Sequence, residues 1–214
     1  MDIIIRNEEE KDFRKVEIVT RQAFWNVNVP GCTEHYLAHI LRKHKDFIPE
    51  LDFVAETNGE IVGNVMYTKA KLIDENGNEI PILSFGPISI HPDYQRMGVS
   101  KKLLEYSFDK AVQLGYTIIV IYGNPDNYVS RGFKSCKKYN VCAPDGNYPA
   151  ALLVKELAEG ALAGERKWVY YESPAYRLKD ADAEKFDEQF ECMQKEFRPS
   201  QEEFYIHSHS IMRD

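Results

Sequence analysis

The stretch "QRMGVSKK", Gln95 to Lys102, combines one glycine with three cations at the start of a predicted helix. The helix is indicated by Val99, Leu103 and Leu104, which fall on one face at helical spacing. Its first turn carries no Asp or Glu, although the positive end of a helix dipole favours carboxylates. The missing negative charge could therefore come from a bound anion.

Two other predicted helices of the chain do begin with acids. One opens with Glu8–Glu10, and the other opens with Asp180, Asp182 and Glu184. The chain also carries a formal net charge of -7, so acids are not scarce. The acid-free start at Val99 is therefore a local exception, and it favours an anion site built from backbone N–H groups and nearby cations.

Gly98 would let the backbone approach such an anion closely, because it has no Cβ. The N–H groups from Arg96 through Lys101 can converge on phosphate-like oxygens, and the Arg96 and Lys101 side chains can add charge. The alternative is an ordinary glycine turn before a surface helix. We prefer the anion site because of the missing acids and the strand–helix–strand setting.

The surrounding pattern predicts an α/β protein with a mixed, mostly antiparallel sheet flanked by helices. Asn58-Gly59 and Asn76-Gly77 are hairpin or turn signals, and the apolar run at Thr117–Tyr122 is typical of a strand buried on both faces. Strands are predicted at Ile3–Arg6, Leu51–Thr57, Glu60–Leu72, Ile82–Ile90, Thr117–Tyr122, Ala150–Leu157 and Lys167–Tyr171. Helices are predicted at Glu8–Phe24, from a Thr33 cap to Leu41, from Val99 to a stop at Gly115, and at Asp180–Phe197.

The length, charge and residue composition of the chain argue against several classes of protein. At 214 residues and 43% hydrophobic content, the chain can form one packed domain, with or without an appendage. The acidic balance argues against general nucleic-acid binding, and no segment reads as a signal peptide or a membrane span. The four scattered cysteines favour reduced thiols and a cytoplasmic location. His207 and His209 have no evident third ligand, so we expect a flexible polar tail and no metal site.

The stretch "QRMGVS" resembles the Q/R-x-x-G-x-G/A motif of the GNAT superfamily of N-acetyltransferases. "ISIHPDY" before it resembles that superfamily's fourth strand and turn, and "GNPDNYVSRGF" (123–133) resembles its Tyr-x-x-x-Gly-Phe element. The segments "ALLVKELAEGALAG" and "VYYESPAY" are similar to a bacterial branch of uncharacterised acetyltransferases. Ser100 departs from the motif, since Gly or Ala is usual there. The resemblance implies an acetyltransferase domain at 1–176 and a C-terminal helical extension at 177–214.

The resemblance also implies a fold with splayed fourth and fifth strands and acetyl-CoA as cosubstrate. The coenzyme's pyrophosphate would lie on the Gln–Gly motif, and its pantetheine arm would pair with the fourth strand. Asn124 or Asn127 would bond the pantetheine amides, although asparagine is equally expected there as turn chemistry. The implied cofactor-binding residues are Ile88, Ser89, Ile90, Gln95, Arg96, Met97, Gly98, Val99, Ser100, Lys101, Asn124, Asn127 and Tyr128.

Tyr128 is the candidate general acid for the departing thiolate, on its position four residues before Gly132. The other interpretation is a packing tyrosine in a chain with 13 Tyr. No general base is identified: Glu56, Ser89 and His91 are all conceivable, and water or an already neutral amine would also serve.

The leading hypothesis is an N-acetyltransferase in which a primary amine attacks acetyl-CoA directly in a ternary complex. The acceptor would be a small-molecule or peptide amine, and the protein a monomer or homodimer. A non-catalytic acyl-CoA-binding sensor is the second hypothesis, because no base is identified. An interaction protein with an aromatic C-terminal helix is the third.

Overall fold

The computed structural model describes residues 2–213 and contains a nine-stranded sheet over that range. The main path runs β1-β2-β3-β4-β5-β8-β6, and β9 pairs with β3 and with β7. The strands are β1 (Ile4–Asn7), β2 (Phe53–Thr57), β3 (Glu60–Asp74), β4 (Glu79–Ile90), β5 (Ile118–Tyr122), β6 (Lys134–Ser135), β7 (Val141–Cys142), β8 (Leu152–Glu156) and β9 (Trp168–Tyr171).

Six α-helices are present within the same residues, together with short 3-10 turns. The helices are α1 (Phe13–Phe24), α2 (Glu34–Leu41), α3 (Val99–Gln113), α4 (Pro125–Tyr128), α5 (Asp180–Asp187) and α6 (Pro199–His209). The predicted strands and the second and third predicted helices are confirmed, with shifts of a few residues at their ends. The first predicted helix is confirmed only from Phe13, where α1 begins, and its predicted acidic opening is wrong: Glu10–Asp12 form a 3-10 turn before α1, and the first turn of α1 itself contains no acid. The two-residue strands β6 and β7 have no sequence signal.

The chain divides into two compact units, and the long strands β3 and β4 contribute to both. The first unit comprises residues 2–67, 86–107 and 174–202, and the second comprises 68–85, 108–173 and 203–213. The division into an acetyltransferase domain at 1–176 and an extension at 177–214 follows sequence order, and it stays a prediction.

The core of the first unit forms where α1 and α2 cover the sheet. Val16 of α1 is fully buried against Val54 of β2 and Ile61 of β3. Leu41 of α2 is fully buried with Met66 of β3. The Trp25 side chain just after α1 is 6% exposed. Burial of these aliphatic faces is the main stabilising contribution, at about 1.5–3 kcal/mol for each large side chain.

The core of the second unit is formed by the strands around β5. Ile118 and Val120 are fully buried, as the continuous apolar run predicts. They cluster with Leu152, Val154 and Trp168, and the Trp168 side chain is 4% exposed. Pairing of β5 with β8 is antiparallel over five residue positions from each strand, Ile118–Tyr122 with Leu152–Glu156.

Strands β4 and β5 are parallel, as the strand–helix–strand pattern predicts, and they pair at a single register position, Leu83 with Ile119. One pair in strands of this length is the splayed arrangement that the resemblance implies. β4 also contains the cis peptide bond Gly86-Pro87.

The predicted helix at Asp180–Phe197 is wrong beyond Asp187, where α5 ends. The physical reason is competition for carbonyl groups. The Gln189 carbonyl accepts a hydrogen bond from Arg14 (2.7 Å), and the Gln194 carbonyl accepts one from Trp25 Nε1 (3.0 Å). Side chains of the α1 region therefore hold this segment in a non-helical path.

The prediction of a flexible polar tail at His207 and His209 is also wrong, because both residues lie in α6. Pro199 begins the helix, a position that tolerates its missing N–H. The first turn is held by Ser200 Oγ, which donates to the Val27 carbonyl (2.8 Å), and by Gln201 Nε2, which donates to the Asn26 carbonyl (3.1 Å).

Gly63 of β3 sets the spacing to β4 and yields a stability prediction. A Cβ at Gly63 would lie 2.9 Å from the Ser89 carbonyl oxygen and 2.6 Å from Ile90 Cδ1. We expect Gly63→Ala to lower the free energy of unfolding by about 1–3 kcal/mol, because the strands must separate. Urea denaturation measures this. Val112→Ala, at a 51% exposed position of α3, is the control and should change stability by less than ~0.5 kcal/mol.

Candidate active site

The backbone before α3 has an unusual conformation. Arg96 and Gly98 both have positive φ, 60° and 83° respectively. Of the other non-glycine residues described, only three have positive φ, and all of them are asparagines, which tolerate that region. Arg96 therefore carries backbone strain of roughly 1–3 kcal/mol, and such strain concentrates at functional sites.

The Gly98 carbonyl accepts the first hydrogen bond of α3, from the Lys102 N–H at 3.1 Å. In any helix the i to i−4 ladder begins only after the first turn, and here it begins at Lys102. The first turn contains no acid, in agreement with the sequence. This helix start therefore offers amide donors and an uncompensated positive dipole end.

The side chains around this helix start divide into anchors and exposed groups. Val99 is 1% exposed and fixes the helix to the core, and Gln95 Nε2 donates to the Ile90 carbonyl (3.1 Å) at the end of β4. Arg96 and Met97 are exposed, and Lys101 Nζ lies 3.8 Å from Glu105 across a solvent-exposed helix turn. The predicted motif residues thus lie partly in the loop before α3, at Gln95–Gly98, and partly in the first turn of α3, where Ser100 is half-buried.

The predicted β4 residues differ in what their side chains do. Ser89 is 1% exposed, and its hydroxyl donates to Thr20 Oγ1 (2.9 Å), which donates to Asn64 Oδ1 (3.2 Å). Ile90 is buried and Ile88 is half-buried. The Ser89 hydroxyl is therefore committed to a buried network, and a cofactor role at these positions would belong to the backbone.

The three conceivable general bases are each engaged elsewhere. Glu56 accepts a hydrogen bond from Arg6 Nε (2.9 Å). His91 Nδ1 accepts from the Asp93 N–H (3.3 Å) and caps a 3-10 turn. Ser89 belongs to the network described above. The structure therefore singles out none of them as a base.

In the second unit, Tyr128 of α4 sits in an aromatic cluster. Its ring centroid lies 5.7 Å from that of Phe85 and 5.6 Å from that of Phe133. A Cβ at Gly123 would lie only 2.5 Å from Tyr128 Cε2, so the ring packs directly on that glycine. Phe85 was not among the predicted site residues. It lies in a buried strand, and the apolar pattern of that strand predicts only a core position.

Burial raises the pKa of Tyr128 to about 12, although the Arg131 charge opposes the shift slightly. Among residues 2–213, burial and the Arg131 charge are the causes of this shift, and no hydrogen bond of the Tyr128 hydroxyl contributes to it. A phenol with this pKa stays protonated at neutral pH and can act as a hydrogen-bond donor.

The two predicted asparagines lie at the start of α4. Asn124 is the N-cap, and its Oδ1 accepts from the Asp126 N–H (3.0 Å). Asn127 is exposed, and its N–H donates to the Asn124 carbonyl (3.0 Å). Asn124 thus performs the turn chemistry that the sequence offered as its alternative role, and its side-chain amide N–H₂ is separate from that bond.

Metal-binding clusters and membrane-spanning helices are both absent from residues 2–213. No group of three or more His, Cys, Asp or Glu side chains there is arranged to hold a metal ion. No helix in that range is long and apolar enough to cross a membrane.

The model of the Acetyltransferase (GNAT) family matches residues 18–135, which is more than half of the chain and includes the Gln95–Lys101 loop. The chain belongs to the GNAT family of acetyltransferases.

Curated relatives of this GNAT protein are bacterial. The uncharacterized N-acetyltransferase YhbS of Escherichia coli is 25% identical over 170 residues, which cover 79% of this chain and 96% of YhbS. The probable hydrolase YhcX of Bacillus subtilis is 29% identical over 143 residues, which cover 59% of this chain. The matched region spans only 27% of YhcX.

Solved structures show the same GNAT fold. A crystal structure of Escherichia coli YhbS in complex with CoA has a TM-score of 0.70 at 21% identity, covering 82% of this chain and 92% of that chain. A GNAT acetyltransferase of Brucella melitensis in complex with acetyl-CoA has a TM-score of 0.62 at 21% identity, covering 82% and 98%.

The strain at Arg96 predicts an unusual substitution pattern. We expect Arg96→Val to be about 1–2 kcal/mol less stable than Arg96→Asn, because a β-branched residue resists positive φ and asparagine tolerates it. Urea denaturation of both variants measures the difference. The same pair at Lys101, inside α3, is the control and should differ little, since Val and Asn have similar helix propensities. Equal stability of the two Arg96 variants would contradict the left-handed geometry.

Proposed function

We propose that this GNAT protein is an acetyl-CoA-dependent N-acetyltransferase that acts on a primary amine by direct attack in a ternary complex. The observation that carries the proposal is the loop before α3, where Arg96 and Gly98 have left-handed backbone and the following helix turn lacks acids. Family membership gives acetyl transfer as the general reaction. The two related crystal structures, described with CoA and with acetyl-CoA, support the choice of cosubstrate.

The diphosphate of coenzyme A is the anion that this loop would bind. Alternating left-handed residues turn successive amide N–H groups toward one side, which makes a concave anion site. No side chain crowds Gly98, since a Cβ there would meet nothing within 4 Å. Arg96 and Lys101 would add positive charge at the rim, where solvent screening keeps their contribution small.

Acetyl transfer also needs donors for the charge that develops on oxygen and sulfur. The thioester oxygen would be stabilised by backbone N–H groups of β4 at Ile88–Ile90. The departing thiolate would accept a hydrogen bond from Tyr128. Because the pKa of Tyr128 is about 12, above the ~8.5 of a typical thiol, the phenol would stabilise the thiolate mainly by hydrogen bonding.

The acceptor amine must be neutral when it attacks, and no side chain is assigned to deprotonate it. Water can carry that proton, or the amine can arrive neutral. The engagement of Glu56, Ser89 and His91 also gives the sensor hypothesis its support, because a non-catalytic acyl-CoA-binding protein needs no base. We propose a small-molecule or peptide amine as the acceptor class.

An assay of turnover distinguishes an N-acetyltransferase from a non-catalytic acyl-CoA-binding sensor. The full-length protein is mixed with acetyl-CoA and a panel of primary amines, and released thiol is measured. An N-acetyltransferase releases free coenzyme A with at least one amine and forms the matching amide, detectable by mass spectrometry. Coenzyme A binding without thiol release across the panel would favour the sensor, and no binding by calorimetry would exclude both.

Binding through the loop predicts a selective effect of Gly98→Glu. The carboxylate would repel the diphosphate and fill the site, so we expect coenzyme A affinity measured by calorimetry to fall at least ~100-fold. Gly77→Glu is a matched control, since Gly77 has φ 82° and equally open surroundings in a turn of the second unit. If both variants bind coenzyme A as the wild type does, the loop is not the diphosphate site.

The role of Tyr128 predicts a change in rate rather than in binding. We expect Tyr128→Phe to retain coenzyme A affinity and to lower kcat by about 10- to 100-fold, the value of one hydrogen bond to a charged group. Tyr122→Phe is the control, because burial raises the pKa of Tyr122 to about 12 as well. An unchanged kcat in Tyr128→Phe would remove this residue from the mechanism.

A further inference from the structure

A cysteine, a histidine and an aspartate meet in the first unit, outside the loop described above. Cys32 lies between α1 and α2, and its Sγ is 3.4 Å from Nδ1 of His35. The opposite ring nitrogen, Nε2, lies 3.0 Å from Oδ1 of Asp187 at the end of α5, which is an ion-pair distance without the angular geometry of a hydrogen bond. His35 is fully buried, Asp187 is half-buried, and Cys32 is half-buried.

The ion pair of Asp187 with Arg21 determines which ring nitrogen of His35 we expect to carry the proton. Arg21 binds both carboxylate oxygens, through Nε to Oδ1 (2.6 Å) and through its second nitrogen to Oδ2 (3.1 Å), which favours the ionised carboxylate. The negative charge of this carboxylate, 3.0 Å from Nε2, favours a proton on Nε2 over one on Nδ1, so we assign the His35 proton to Nε2. The lone pair of Nδ1 then faces the Cys32 sulfur.

The thiol and the imidazole are both uncharged at rest. Burial raises the pKa of Cys32, and it lowers that of His35 to about 4, with Arg21 lowering it further and with Asp187 and Glu17 opposing. A neutral nucleophile beside a neutral imidazole is the arrangement in which the proton moves to nitrogen as the nucleophile attacks. The Cys32 thiol has one other acceptor nearby, the Arg21 carbonyl at 3.8 Å.

Cys32 and Asp187 also line a cavity of about 230 Å³. Trp25, Val29 and Pro30 form its apolar wall. Lys195 lines it too, with its Nζ 3.1 Å from Glu184, so a cationic group is present beside the thiol cavity. The cavity holds several water-sized volumes of ~30 Å³, which is sufficient for a small acyl group.

We propose that Cys32 is a nucleophile that takes the acyl group from a small activated ester bound in this cavity, with His35 as its base. Sγ forms a bond to the carbonyl carbon while its proton passes to His35 Nδ1. The bond from that carbon to the ester oxygen then breaks, and the departing oxygen takes the proton from Nδ1. The products are a thioester on Cys32 and a free alcohol, and Asp187 acts as the positioning residue for His35. This activity goes beyond the proposed amine acetylation and uses no coenzyme A.

The test uses the full-length protein and p-nitrophenyl acetate, in the absence of coenzyme A. We expect a burst of p-nitrophenol equal to the protein concentration, a mass gain of one acetyl group, and peptide mapping that places it on Cys32. Cys32→Ala should abolish the burst, and Cys192→Ala, at an exposed cysteine, should leave it unchanged. Acetylation of Cys192 with Cys32 unmodified would overturn the proposal.

Two measurements distinguish a Cys32 thiol that His35 deprotonates during attack from a thiol that reacts without a neighbouring base. The acetylation rate of Cys32 should stay level between about pH 6 and 8, because His35 titrates near 4. A free cysteine thiol in a short, unstructured peptide reacts about tenfold faster per pH unit below its pKa of ~8.5. Asp187→Asn should slow acetylation by at least ~10-fold, because a neutral amide no longer favours the proton on Nε2 and no longer stabilises the imidazolium that forms during attack.

Thermal denaturation first establishes that Asp187→Asn is folded; where it is not, the wild-type pH profile decides alone. A Cys32 rate that climbs with pH as the free thiol does, or a folded Asp187→Asn protein that reacts at the wild-type rate, would contradict the base role of His35.

Discussion

The left-handed backbone at Arg96 and Gly98 is the constraint on which the proposed cofactor site depends. A helix start offers amide donors in any protein, but it becomes an anion site only when the preceding loop turns its own N–H groups the same way. The positive φ values of Arg96 and Gly98 are the backbone conformation that such turning requires, and Gln95 and Val99 anchor the loop at both ends. Strain at Arg96 is thus balanced by anchoring, which keeps the donors in place before a ligand arrives.

Features that depend only on neighbouring residues can be predicted from the sequence, whereas features that depend on tertiary contacts cannot. The acid-free start of α3 and the buried run of β5 are local, so the order of residues predicts both. The positive φ of Arg96 has no such local signal, because arginine is rarely found there. The end of α5 at Asp187 depends on donors from Arg14 and Trp25, which lie far away in sequence, and a helical apolar period therefore overpredicts that helix.

The hydrogen-bond partners of individual side chains cannot be predicted from the sequence either. Ser89 and His91 were conceivable bases by residue type, yet one bonds Thr20 and the other caps a turn. Conversely, the cysteines are scattered along the chain and gave no sign of a nucleophile. The grouping of Cys32 with Asp187 exists because the C-terminal segment returns to α1 and α2, which composition and spacing do not reveal.

The two tryptophans of the chain fall one in each compact unit, and both are almost completely buried. Trp25 donates to the Gln194 carbonyl beside a guanidinium, whereas Trp168 packs in a cluster of aliphatic residues and tyrosines. Their emission should therefore differ, and replacing either with phenylalanine leaves an intrinsic fluorophore that reports on a single unit. Intrinsic tryptophan fluorescence can therefore show, without labelling, whether the two units unfold in one cooperative transition or in succession.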